Sequence, residues 1–66
     1  MIVFTRPNGQ PVMLNCDLIE SVEKNGETII TLTTGNVVVV REPLEEIEQR
    51  VVAFKRKIRA AQGLGE

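Results

Sequence analysis

The sequence predicts an α+β fold: a small antiparallel meander sheet of about five short strands, followed by one C-terminal helix. Two observations support this prediction. Turn signals divide the first two thirds of the chain into short runs rich in Val, Ile and Thr, a composition typical of strands. After Glu42 the apolar residues recur every three or four positions, which is the spacing of a helix.

The first two strands are predicted to form a hairpin. Ile2 to Thr5 is an apolar run, and Val12 to Asn15 is the returning strand. Between them Pro7 precedes an Asn8-Gly9 pair, which is one of the strongest turn signals in a sequence.

Three further strands follow in the same manner. Leu18 to Glu23 is separated by Asn25-Gly26 from Thr28 to Thr33, and a turn at Thr34 to Asn36 leads into Val37 to Val40. The last of these strands is apolar at every position, which indicates that both faces of the sheet are covered.

The helix is predicted from about Pro43 to Ala61, with Pro43 as its first residue. Acidic residues dominate its first half and basic residues its second half, the order that the helix dipole favours. This charge gradient is therefore explained by the helix itself rather than by a basic binding patch.

The apolar positions of the predicted helix form one stripe with spacings of 3, 4, 3 and 4: Leu44, Ile47, Val51, Phe54 and Ile58. The stripe is interpreted as packing on the chain's own sheet, and the alternative is a seam for another helix.

The short length of the chain favours self-association or a partner. A single domain over residues 1–61 with a flexible tail at 62–66 is expected, and a domain of about 60 residues buries only about 60% of its unfolded surface. The sequence has one cysteine, Cys16, and no histidine. We therefore expect no intrachain disulfide, no metal site and no cofactor, and Cys16 is interpreted as a small buried residue near a strand end.

Catalysis is not expected. Without histidine there is no Ser-His or Cys-His pair, and the isolated glycines form no phosphate-binding loop. The net charge is −1 and only two residues are aromatic, which disfavours nucleic acid as a partner. The sequence shows neither a signal peptide nor a membrane-spanning stretch, and a lone cysteine fits a reducing compartment. A non-enzymatic cytoplasmic protein is the expectation.

Nearly the whole chain resembles the small FlbD-type flagellar proteins, which include the swarming-motility protein SwrD. The resemblance rests on a succession of segments with matching order and spacing, and it continues to Gly35, the valines and Glu42. Cys16 is a departure, because a residue such as Pro is expected there. The matching segments are Phe4-Thr5-Arg6, Asn8-Gly9, Leu14-Asn15, Asp17 to Glu23, Thr28 to Thr33, Val51-Val52 and Phe54 to Ile58.

This resemblance implies a cytoplasmic accessory of the bacterial flagellum that raises motor power by favouring association of the stator units. Flagellar motor or stator proteins are then its partners. A homo-oligomer is expected as well, formed through the uncovered sheet face. The predicted protein-contact residues are Val37, Val39, Val51, Phe54 and Ile58.

A second resemblance gives an alternative function. The carbon-storage-regulator RNA-binding proteins also open with an apolar strand ending in Thr-Arg, as Phe4-Thr5-Arg6 does here, and Val38 to Glu42 is similar to a later segment of that family. This resemblance implies a post-transcriptional regulator in which Arg6 and Arg41 contact RNA. The middle of the chain and its charge do not match that family, so this function ranks second.

Overall fold

The computed structural model describes residues 1–61, and the tail predicted at 62–66 lies outside them. The predicted α+β class is confirmed: five antiparallel strands precede a single helix at the C-terminal end of the described chain. The elements are β1 (Ile2–Thr5), β2 (Pro11–Leu14), a 3-10 turn (Cys16–Leu18), β3 (Ile19–Asn25), β4 (Glu27–Leu32), β5 (Val37–Val40) and α1 (Leu44–Ala61).

The strands form two sheets rather than one continuous meander. The β1–β2 hairpin is one sheet, and β3, β4 and β5 form the other in that order. The break falls at the 3-10 turn, where the Asn15 side chain accepts the Asp17 N–H at 3.0 Å and the Asn15 carbonyl accepts the Leu18 N–H at 2.9 Å. Because this capped turn occupies Leu18, β3 begins one residue later than predicted.

The first hairpin depends on a glycine at its turn. The Arg6 carbonyl accepts the Gly9 N–H at 2.9 Å, and the Asn8 side chain accepts the Gln10 N–H at 3.0 Å. Gly9 has a φ of +92°, a conformation that residues with a Cβ rarely adopt. The Asn-Gly pair therefore has the role that the sequence predicted for it.

The core lies between the two sheets and the helix. Its seven buried apolar residues come from both sheets, the 3-10 turn and α1, which makes them one shared core. The predicted burial of Cys16 is confirmed, since its side chain is 5% exposed. The core consists of Ile2, Phe4, Leu14, Cys16, Ile30, Val40 and Ile47.

The helix begins one residue later than predicted. The Pro43 carbonyl accepts the Ile47 N–H at 3.1 Å, so Pro43 precedes the first helical residue, Leu44. Ile47 is buried, and Val51 and Phe54 are half-buried against the core. Packing of the stripe on the chain's own sheets is thereby confirmed for these three residues. At the two ends of the stripe, Leu44 and Ile58 remain 40% and 38% exposed.

Candidate protein-contact surfaces

The first candidate surface is the outer side of β5. Val38 and Val40 face inward, and Val40 is buried in the core. Val37 and Val39 point to the opposite face, because successive side chains alternate along a strand. Val37 is 58% exposed, and Val39 lies directly across from the half-buried Ile29 of β4. On this face Val37 lies across from Thr31 of β4, so Val37, Val39 and Ile29 form a small apolar patch that adjoins polar side chains.

The backbone of β5 is also open on one edge. The Leu32 N–H donates to the Asn36 carbonyl at 2.8 Å, so Leu32 and Asn36 form a hydrogen-bonded pair. Bonded and non-bonded pairs alternate in an antiparallel ladder, and the next bonded pair is Ile30 with Val38. Val37 and Val39 therefore direct their N–H and C=O groups away from β4. In the described part of the chain, no neighbouring strand pairs with them.

The corresponding edge of β1 is closed by residues that come much later in the sequence, just after β5 and in α1. The Val3 carbonyl accepts a hydrogen bond from the Arg50 guanidinium at 2.7 Å. The Thr5 N–H donates to the Glu42 carboxylate at 2.9 Å, and the Thr5 carbonyl accepts the Arg41 N–H at 2.8 Å. These groups take the place of a neighbouring strand, so β1 is protected from edge pairing while β5 is not.

Glu42 is the buried charged residue at this closed edge. Its side chain is 7% exposed and pairs with Arg50 at 3.5 Å, and Arg50 also pairs with Glu46. The Arg50 guanidinium lies 5.9 Å from the centroid of the Phe4 ring, within the range of a cation–π interaction. Burial raises the pKa of the Glu42 carboxyl, but the hydrogen bonds from Thr5 and the charge of Arg50 outweigh it and leave the pKa below its usual range.

The second candidate surface is a groove between α1 and β3, with a volume of about 370 Å³. Ile19 and Val22 of β3 form one wall, and Leu44, Val51 and Val52 of α1 form the other. Val52 is 42% exposed, although it lies off the predicted apolar stripe. A smaller groove continues along the helix past Lys55 to Arg59.

The five predicted contact residues are divided between different parts of the molecule. Val37 and Val39 lie on the outer side of β5, pointing away from the core. Val51 and Phe54 pack against that core from the helix, and Ile58 is an exposed helical residue near the C-terminal end of α1. The structure therefore presents a sheet surface and a helix surface rather than one continuous contact area.

Arg6 and Arg41, the candidate RNA contacts, are brought close together at the ends of β1 and β5. Both are exposed, but the Arg41 guanidinium donates to the Pro7 carbonyl at 2.9 Å. Arg41 thus supports the turn of the first hairpin through its side chain. This contact explains Arg41 without an RNA ligand and gives the RNA-binding alternative no added support.

The structural role of two residues, Glu42 and Arg50, was not predicted from the sequence. In the sequence-based prediction Glu42 only precedes the helix, and Arg50 has no separate role. The signal that indicates their role is the spacing Glu42, Glu46 and Arg50, which places two carboxylates at four-residue intervals before a basic residue at the border of the apolar stripe. Sequence spacing alone does not show that the acceptor is the edge of β1.

Residues 1–61 contain no cluster of three or more Cys, Asp or Glu side chains arranged to hold a metal ion. In that range the helix is also too polar to cross a membrane.

A family model described as FlbD, flagellar and swarming motility proteins, matches residues 1–59. No curated protein and no solved structure matches the chain. The family match covers both sheets and nearly the whole of α1, and it confirms the first resemblance seen in the sequence. The chain belongs to the FlbD family of flagellar and swarming motility proteins.

Proposed function

We propose that this protein is a non-enzymatic, cytoplasmic accessory of flagellar motility that acts by binding other proteins. We further propose that it raises motor power by favouring association of the stator units. Family membership supports the motility role. The observation that carries the binding mechanism is the open, apolar edge of β5.

An open strand edge binds an extended segment by continuing the sheet. The partner's backbone hydrogen bonds supply affinity, and its alternate side chains contact the exposed face for specificity. Val37 and Val39 offer both features, since their backbone groups point outward and their side chains form an apolar patch with Ile29. The partner segment is therefore expected to be extended and rich in β-branched or other apolar residues.

The test compares two valines that are similarly exposed but lie on different sheets. Val37 on β5 is 58% exposed and Val3 on β1 is 49% exposed. In a strain that lacks the gene, V37D is expected to restore little swarming and to lower the number of fluorescently labelled stator units at each motor. V3D is the matched control and is expected to restore both, because the β1 edge is already closed within the chain.

Binding through the β5 edge and the effect on stator association can be refuted separately. Full swarming with V37D, at normal protein level, would remove the β5 edge from the binding mechanism. Loss of swarming with an unchanged number of stator units would retain the surface and contradict the stator step. Circular dichroism of the purified variants checks that both remain folded.

A further inference from the structure

A second stripe runs along α1 beside the buried one. Leu44, Glu48, Val52, Lys55 and Arg59 are spaced 4, 4, 3 and 4 residues apart, and all of them line the groove against β3 or its continuation. All five are exposed. This groove stripe lies on the side of the helix that faces out over β3, next to the half-buried Val51.

The central part of the groove stripe, from Glu48 to Lys55, is self-complementary in charge. Glu48 precedes the apolar pair Val51 and Val52, and Lys55 follows it. Glu48 and Lys55 are equally far from the midpoint between the two valines. If a second helix lies antiparallel on the first with a two-fold axis at this midpoint, Glu48 of each chain faces Lys55 of the other and Val51 faces Val52.

Within residues 1–61, neither Glu48 nor Lys55 takes part in an ion pair. Glu48 and Lys55 are seven residues apart, so they are separated by about 10.5 Å along the helix axis and cannot pair with each other. In residues 1–61 the ion pairs are those of Arg50 with Glu42 and Glu46. A parallel arrangement of two helices would place like charges together, which disfavours it.

We propose that two copies of this chain dimerise through the groove stripe, with their α1 helices antiparallel and Val51 and Val52 at the centre. The occupant of the groove is thus the same helix of a second copy. An 18-residue helix is about 27 Å long, which is enough for the whole acid-apolar-base sequence to engage. Burying the groove also supplies apolar contacts that a domain of this size lacks on its own. This dimer does not depend on the proposed function, because it leaves the β5 edge free.

The experiment measures the mass of the purified full chain by light scattering after size-exclusion chromatography. The wild-type protein is expected to be a dimer, and V52D a folded monomer by circular dichroism. V37D, the variant on the β5 edge, is the matched control and should remain dimeric. A monomeric wild-type protein at concentrations of about 100 μM, or a V52D dimer, would overturn the proposal.

A charge exchange tests the antiparallel register and does not rely on V52D remaining folded. E48K alone and K55E alone each replace two attractive pairs by two repulsive ones, so each should weaken the dimer about tenfold or more. The double variant E48K/K55E restores both pairs and should recover the wild-type dissociation constant in sedimentation equilibrium. Failure of the double variant to recover it would contradict the register, whatever the effect of the single changes.

Discussion

Replacing Glu42 by Gln should destabilise the fold through the edge of β1. The wild-type carboxylate accepts the Thr5 N–H at 2.9 Å and faces Arg50 at 3.5 Å while only 7% exposed. Gln retains an oxygen that can accept the Thr5 hydrogen bond but loses the charge. A hydrogen bond to a charged group contributes about 1.5–3 kcal/mol and a neutral one about 1 kcal/mol, so E42Q should lower the free energy of unfolding by about 0.5–2 kcal/mol at pH 7.

The same substitution should alter the dependence of stability on pH. The folded state lowers the pKa of Glu42, so the stability that its charge contributes is fully present above the unfolded pKa, near 4.3, and is lost as the pH falls through the lower folded value. The difference between wild type and E42Q should therefore be constant above about pH 5 and should shrink as the pH falls further.

Urea denaturation followed by circular dichroism, at one protein concentration and several pH values, measures both effects. E23Q is the matched control, because Glu23 is an exposed carboxylate on β3 and its neutralisation should change stability by less than about 0.5 kcal/mol. An E42Q protein as stable as wild type at pH 7 would refute the role of Glu42. A difference that persists unchanged at low pH would show that the charge is not its cause.

Two further substitutions test the same part of the fold. R50K should lower the free energy of unfolding by about 1 kcal/mol, because Lys keeps the charge but loses the planar geometry with which Arg50 reaches the Val3 carbonyl and both carboxylates. An R50K protein with the urea midpoint of the wild type would contradict this role of Arg50. G9A should lower the free energy of unfolding by about 1–3 kcal/mol, because φ at this residue is +92°. A steric clash does not contribute, since the atom nearest to an added Cβ, on Arg41, is 3.8 Å away. G9A without a change in the thermal midpoint would show that backbone conformation is not what the turn requires of that residue.

The sequence predicted the elements better than their association. β1 and β5 have the predicted bounds, because a turn signal and a change of composition mark their ends. The separation into two sheets was not foreseen. Its cause is the capped 3-10 turn at Asn15, a local hydrogen bond that competes with strand pairing and leaves the apolar pattern unchanged.

The candidate surfaces were only partly predictable for a similar reason. The four consecutive valines indicated a strand with two apolar faces, and the structure assigns Val38 and Val40 to the core and leaves Val37 and Val39 outside. Val52 lies off the predicted apolar stripe of the helix. Its place in a groove beside Ile19 follows from the position of β3 against α1, which depends on tertiary packing that periodicity does not report.

The closed edge of β1 also determines when the hairpin can become stable during folding. Thr5 and Glu42 are 37 residues apart, and Val3 and Arg50 are 47 residues apart. Contacts over such separations form late, after the intervening chain has lost its freedom. On the ribosome, β1 is made before the residues that close its edge, so it is among the last strands of the domain to complete its hydrogen bonds. Until the helix has been synthesised, that edge is exposed, so truncated or stalled chains are expected to aggregate where the finished chain does not.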